Sequence, residues 1–270
     1  LHWQPFDLDA RMRIGQLYQK QQQFELALTH LLTALPLQTN NLNLYILTAQ
    51  CFHRTHRQYE AIALLNKVLE QQPTNVNALS EIGSSYKQIG EHQKALEVWQ
   101  HTHRLAPVKL QNNVRLGMQE LLLGQYKTGW HHYNDRWKTD QYAKDHLYAT
   151  LPVWQGQAVD TLLVYDEQGL GDTLQFLRSV WPAATRVKQI RLLIKDKLHC
   201  LFDPTVDLLP DNVDLVSGMT FTGTTDSHCP LMALLIALGM ESDPAANLVP
   251  YLRPSPQQLV QSPLILAPEQ

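Results

Sequence analysis

The side chains of this 270-residue chain best equipped for chemistry sit in one run, VYDEQGLGDTLQFLR at 164–178. Two of its three carboxylates and both its amides, Glu167, Asp172, Gln168 and Gln175, surround the paired Gly169 and Gly171. Two glycines two residues apart behind a strand allow a tight strand-to-helix turn, with or without a ligand. Position adds more. In an open parallel sheet, ligands bind in the crevice at the C-terminal ends of the strands, where helix N-termini present free N–H groups. Asp172 also falls in the first turn of the next helix, where the dipole favours negative charge, so capping and binding are both open to it.

Other reactive residue types are less well placed. The 12 histidines include His53 with His56, and a loose group of His101, His103, His131 and His132. None has carboxylate or Cys companions at ligand spacing, so no metal site is expected. Cys51, Cys200 and Cys229 are odd in number and lack C-x-x-C spacing, which favours free thiols in a reducing, cytoplasmic setting. The run Asp226, Ser227, His228, Cys229, Pro230 places a polar residue and then Pro before the apolar PLMALLIALGM, a helix-start signal.

Around these residues the sequence changes period twice. TLLVYD, QIRLLI and VDLVS are short apolar runs with the length and flanks of buried strands, alternating with the amphipathic DTLQFLRSVW and the helical PLMALLIALGM. Strands alternating with helices predict a parallel, doubly wound sheet. Ahead of them, LPVWQGQ reads as a connector.

The first half obeys a 34-residue register instead. It aligns Ala27, Ala61 and Ala95; Gly15, Ala49 and Gly83; Tyr18, Phe52 and Tyr86; Leu31, Leu65 and Trp99; and Pro5, Pro73 and Pro107, with Thr39 in the remaining slot. A helix-turn-helix of this period cannot bury its apolar stripe alone, so copies stack and make their core jointly. IGQLYQKQQQFELALTHLLTAL and ALSEIGSSYKQIGEHQKALEVWQHTHRLAP resemble the tetratricopeptide repeat (TPR), whose small, aromatic and Pro slots they fill. Leu1 takes the slot of Leu35 and Leu69, so the chain is expected to begin inside an earlier repeat of a longer solenoid. A fourth, degenerate unit keeps Gly117, Gly124 and Tyr126 in register, with Gly129 in the alanine slot. Trp130, Tyr133 and Trp137 then fall on one predicted helical face, either sealing the solenoid's end or offering a stacking platform. On the inner helices, Asp9, Gln16, Gln19, Asn43, Gln50, His53, Asn77, Ser84 and Lys87 share a polar, amide-rich face that suits an extended peptide backbone and equally suits plain solvation.

A second resemblance covers about Gly117 to Leu252. EQGLGDTLQF, preceded by GW…Y…RW and P.W.G and followed by D.HCPL and PYL, looks like bacterial TPR proteins with a glycosyltransferase-like region related to the heptosyltransferases. The resemblance implies one half of a GT-B fold: a Rossmann-like domain that holds the acceptor, facing a second that holds a nucleotide-sugar donor. It implies Asp172 as the base that takes the acceptor proton, with Glu167, Gln168, Gly169, Gly171, Gln175 and His228 around the acceptor, a sugar or a protein. Ala233 and Leu235 stand where that family carries Ser and Pro.

The expected organisation is mixed. An all-α TPR solenoid takes 1–140, with a partial first repeat, three full repeats and a degenerate capping repeat. A connector follows at 141–160, an α/β Rossmann-like acceptor-side domain with a parallel sheet at 161–252, and a linker toward a donor domain at 253–270. The expected roles are a glycosyltransferase half or a non-catalytic TPR adaptor. No cofactor is expected on this fragment, the nucleotide sugar belonging to the missing half. A net charge of -3 does not favour nucleic acid. Residues 1–150 carry 15 Lys/Arg against 12 Asp/Glu and 151–270 carry 7 against 13. No run of about 18 apolar residues predicts a membrane span.

Overall fold

The computed structural model describes residues 8–139, 148, 150–202, 209–218 and 220–242. Leu1, Pro5, most of the start of the connector, the PYL at 250–252 and the linker at 253–270 lie outside them. The chain forms two compact units, Leu1–Thr139 and Asp140–Gln270.

The first unit is a TPR-like stack of four helical hairpins: α1 (Leu8–Lys20) with α2 (Phe24–Ala34), α3 (Leu42–Arg54) with α4 (Gln58–Gln71), α5 (Val76–Gln88) with α6 (His92–Leu105), and α7 (Leu110–Leu122) with α8 (Tyr126–Asn134). The register residues make the core, with Ala27, Leu31, Ala61, Leu65, Ala95 and Trp99 all buried. Its small residues are small because the helices touch there. A Cβ on Gly15 would stand 2.5 Å from the Leu31 side chain, on Gly83 2.5 Å from Trp99 Nε1, and on Gly117 2.4 Å from the Tyr133 backbone nitrogen. Asn41 and Asn75 cap α3 and α5, their Oδ1 atoms accepting from Leu44 N and Ala78 N at 3.2 and 3.0 Å.

The turn inside each hairpin repeats as well. Gln22, His56, Gly90 and Gly124, spaced 34 apart, all take a left-handed backbone with φ of 60, 61, 84 and 77°. Two of the four are therefore side-chain-bearing residues in a conformation that favours glycine. The stacking slot shows where a neighbour is required: Cys51, Ser85 and Gln119 are fully buried against the preceding hairpin, while Leu17, in the same slot of α1, is 58% exposed.

The aromatic stripe of the last hairpin differs from the sequence expectation. Helix α8 ends at Asn134 and Asp135–Lys138 tightens into a 3₁₀ turn, so Trp137 leaves the face of Trp130 and Tyr133. The stripe instead wraps a cation: Arg136, 1% exposed, lies over the Tyr133 ring at 4.5 Å and the Trp137 ring at 5.1 Å.

The second unit is built on a four-stranded, wholly parallel sheet of order β3-β2-β1-β4, from β1 (Thr161–Tyr165), β2 (Gln189–Leu193), β3 (Val213–Val216) and β4 (Ser227–Pro230). Helices α9 (Leu170–Leu177) and α10 (Val180–Ala184) connect β1 to β2, and α11 (Leu234–Leu238) follows β4. Leu162, Leu163, Val164, Ile190, Leu192, Phe176, Leu177 and Leu234 form the core, as expected of strands covered on both faces.

Two expectations need correction here. Asp226–Pro230 is not a helix start: Ser227–Pro230 is β4, paired with β1 in the register Leu162↔Ser227 to Tyr165↔Pro230. Asp226 ties in the strand's start, its Oδ2 accepting from Thr161 N at 2.8 Å. Pro230, which lacks an N–H, takes the strand's last position, and a 3₁₀ turn at Leu231–Ala233 leads into α11. The connector also enters the fold. Val153 bridges His228 in parallel, Trp154 N donates to His228 O at 2.8 Å, and the Trp154 indole is buried with its N–H on Gln157 O.

Candidate functional site

Two places gather the candidate residues. The first is the C-terminal edge of the sheet. In the order β3-β2-β1-β4, β2 and β3 are added on one side of β1 and β4 on the other, so the strand order switches between β1 and β4, and the ends of these two parallel strands frame the crevice where doubly wound sheets bind ligands. Asp166, Glu167, Gln168, Asp172, Thr173, Leu231 and Met232 line it. The sequence expectation of a carboxylate-rich edge after β1 describes this spot, but the carboxylates are engaged. Asp172 Oδ2 accepts from Gly169 N at 3.1 Å, the back-bond of a helix cap. Asp166 accepts from Thr173 Oγ1 at 3.3 Å and from Lys195 Nζ at 2.8 Å, while Lys195 also donates to Gln168 O. Glu167 Oε1 accepts from Met232 N at 3.2 Å and so ties the β1 turn to the β4 turn. The crevice between them is too small to admit a water molecule.

Of the remaining residues assigned to this edge, Gln175 is exposed on α9 and Gly169 and Gly171 form its start. Neither glycine is required by packing: a Cβ on Gly171 would meet nothing within 4 Å, and one on Gly169 only Asp172 Oδ2 at 3.4 Å. His228 lies elsewhere. It sits inside β4 opposite Leu163, 1% exposed, with its ring stacked on Tyr165 and Nδ1 3.1 Å from the Tyr165 hydroxyl. Tyr148 closes this aromatic group, 5.1 Å from the Tyr165 ring, and its hydroxyl accepts from Phe221 N at 2.7 Å.

The second place is the inner face of the solenoid, carried by α1, α3, α5 and α7. Side chains of successive hairpins join there in a ladder. Gln19 Nε2 donates to Gln50 Oε1 at 3.2 Å, Gln50 Nε2 to Glu81 Oε1 at 3.5 Å, and Arg115 lies 3.9 Å from Glu81. Burial lowers the pKa of His53, whose Nδ1 is 3.4 Å from Ser85 Oγ in a parallel link. Where the third and fourth hairpins meet, the face opens into a cleft of about 300 Å³ lined by Ile46, Gln50, Asn77, Ser80, Glu81, Lys109, Gln111, Asn112 and Arg115. Lys109 Nζ donates to Asn77 Oδ1 at 2.6 Å, and Arg115 Nη1 to Ser80 Oγ.

Gln50 and Asn77, two of the expected groove residues, line this cleft; Gln16, Asn43, Ser84 and Lys87 do not. The sequence alone stops one repeat short, because the degenerate fourth unit reads as a cap. Its inner helix supplies Gln111, Asn112 and Arg115, with Lys109 just ahead of it, and the signal that marks them is the polar start KLQNNVR of that helix.

Behind the cleft the last two hairpins share a polar cluster. His132 Nδ1 meets Glu120 Oε2 at 2.6 Å, and the His103 ring packs edge-on against His132 at 4.9 Å. Asn113 contacts His103 Nδ1 at 2.7 Å and donates to Asp135 Oδ2 at 2.8 Å. The hydrogen bond to Glu120 raises the His132 pKa. Asp135 is lowered: burial alone would raise it, but hydrogen bonds from Lys138 and Asn113 outweigh that. Among the described residues no group of three His, Cys, Asp or Glu side chains could hold a metal ion, and no helix is long and apolar enough to cross a membrane.

No protein-family profile and no curated protein matches the chain. Over its N-terminal half it is structurally similar to solved proteins. A crystal structure of MamA is 17% identical with a TM-score of 0.46, over 53% of this chain and 83% of that one. The 41-end form of MamA from Desulfovibrio magneticus RS-1 is 18% identical at 0.45, over 52% and 78%. TTC0263, a thermophilic TPR protein in Thermus thermophilus, is 14% identical at 0.45, over 50% and 75%. These are likenesses of half the chain, and no activity follows from them.

Proposed function

We propose that the chain is a protein-interaction module whose solenoid groove holds an extended peptide of a partner protein. The observation that carries this reading is the inner-face ladder from Gln19 through Gln50 and Glu81 to Arg115, which ends in a cleft large enough for side chains. A row of side-chain amides offers donors and acceptors at intervals and can pair with peptide backbone without demanding a particular sequence. The test is a peptide array probed with the wild-type chain and with Gln50→Ala combined with Asn77→Ala. Ligands lost with the double variant support the groove. Ligands bound equally by both proteins overturn it.

The second reading is the acceptor-side half of a nucleotide-sugar-dependent glycosyltransferase. It is favoured by the crevice's place between β1 and β4, and by Gly169 and Gly171, which packing does not require and which would let a ligand approach the backbone. Asp172 would then exchange its bond to Gly169 N for the acceptor hydroxyl, with a donor held by a facing domain. In a protein carrying both halves, Asp172→Asn should cut transfer by about 10²–10⁴-fold, the range for losing a general base. Wild-type rates would remove Asp172 from the mechanism, and sugar-nucleotide turnover by this chain alone would remove the two-halves reading.

A further inference from the structure

We infer that the cleft between the third and fourth hairpins is a pocket for an acidic side chain, an Asp or Glu within the extended peptide; this rests on the groove reading above. Donors and acceptors decide the occupant. Ser80 receives an N–H from Arg115, which can only donate, so the Ser80 hydroxyl proton is the one directed to Asn112 Oδ1, at 2.8 Å. That bond fixes the Asn112 amide and leaves its NH₂ as the free end. Asn112 is 1% exposed, lines the cleft, and its Nδ2 has no acceptor among the described residues. A buried donor without a partner is destabilising and calls for an acceptor.

Charge points the same way. Lys109 stands at the cleft with its ammonium on the neutral Asn77 carbonyl oxygen. Among the described residues Glu81 is the single acid lining the cleft, and it lies 3.9 Å from Arg115, so one positive charge is left in excess. Two cations at a partly enclosed space, backed by the buried, unpartnered Asn112 amide, suit a carboxylate, which accepts only and presents about four lone-pair sites. Ile46 adds an apolar surface for the side chain's methylenes. The ladder continues past the cleft through Gln50 to Gln19, so the peptide runs on along the groove and the acid is internal to it rather than its terminus.

The probe is an array of random dodecapeptides, acetylated and amidated so that no terminal charge remains, with a matching array bearing free C-termini. Bound peptides on the blocked array should be enriched in Asp or Glu. Changing that residue to its amide should weaken binding about ten- to a hundredfold, the scale of losing a hydrogen bond to a charged group. Lys109→Met with Arg115→Met should abolish the preference, and Glu81→Gln, which removes the competing acid, should tighten it. Circular dichroism identifies any variant that fails to fold, and Glu81→Gln decides the matter if the double variant does. Binders without acid enrichment that are still lost with Gln50→Ala and Asn77→Ala would sink the acidic pocket and leave the groove. Binders indifferent to those groove variants would sink both. Binding confined to free C-termini would also overturn the internal acid.

Discussion

Replacing Gly117 by alanine should destabilise the solenoid even though alanine is the better helix former. In a helix interior the exchange gains about 1 kcal/mol of propensity. Against that stands the contact between α7 and α8. The new Cβ would lie 2.4 Å from Tyr133 N, 2.7 Å from Gly129 O and 2.9 Å from the His132 carbonyl carbon, all backbone atoms. Backbone cannot rotate away, so the helices must part by roughly 1 Å to reach a normal separation, forfeiting a quarter to a half of each affected contact. Overpacking of this kind costs about 1–3 kcal/mol; the upper end applies here, for a net loss of about 2 kcal/mol. Gly15→Ala meets the end of a flexible leucine and should cost less, and Gly171→Ala meets nothing and should be neutral or stabilising. Urea unfolding followed by far-UV circular dichroism measures all three. A Gly117→Ala protein as stable as wild type, or less affected than Gly15→Ala, would refute the reasoning.

The strained turns predict a gain: His56→Gly, at φ of 61°, should stabilise the solenoid by about 0.5–1 kcal/mol in the same urea assay, since left-handed backbone is costly for a side chain. The raised His132 pKa makes a contribution that is complete below the unfolded histidine value of about 6.5 and is lost as pH rises through the folded value. Thermal unfolding across this range should show that decline, and Glu120→Gln should flatten it. Asp135, with its lowered pKa, acts in the opposite sense at acid pH, losing its contribution as pH falls through the folded value. Finally, burial pushes the Cys51 thiol up to about 11, so in the native protein iodoacetamide should label exposed Cys200 well before Cys51 and buried Cys229, as peptide mapping would reveal.

What is legible in the sequence is what repeats. Ala27, Ala61 and Ala95, with their partners Leu31, Leu65 and Trp99, occupy equivalent positions because every hairpin solves the same packing problem, and period exposes that directly. The bonds between hairpins are harder to see. They join residues 31 or 32 apart, Gln19 to Gln50 and Ser80 to Asn112, so they cross the 34-residue register obliquely and no aligned column contains both partners. Lys109, Asn112 and Arg115 escape a sequence reading for that reason, and because the fourth unit reads as a lid. In the second unit, β1, β2 and β3 announce themselves as apolar runs. Strand β4 does not: Ser227, His228, Cys229 and Pro230 are all buried by position at the side of β1, and nothing in their composition marks a strand. The carboxylates after β1 line the crevice; the cap of Asp172 on Gly169 is local and legible, but the bonds of Asp166 to Lys195 and of Glu167 to Met232 depend on turns that approach only in three dimensions.

The ladder also gives the solenoid a mechanical polarity. In a stack where each hairpin touches only its neighbours, the joints act as springs in series and the softest yields first. The joint between the first two hairpins is bridged by longer bonds, Gln19–Gln50 at 3.2 Å, Gln38–Asp9 at 3.4 Å and Asn41 Nδ2 to Met12 Sδ at 3.6 Å, with Arg54 over the Phe24 ring at 5.1 Å. The joint between the last two carries buried Ser80–Asn112, charged Arg115–Ser80 and Lys109–Asn77, and Gln119 Nε2 on His92 O at 2.9 Å. Pitch fluctuations and fraying therefore concentrate at the N-terminal end. The cleft sits at the stiff end, holding a fixed shape for one anchoring side chain while the compliant hairpins adjust to whatever chain extends from it. Amide hydrogen exchange should follow that gradient, fastest in α1 and α2 and slowest from α5 to α7.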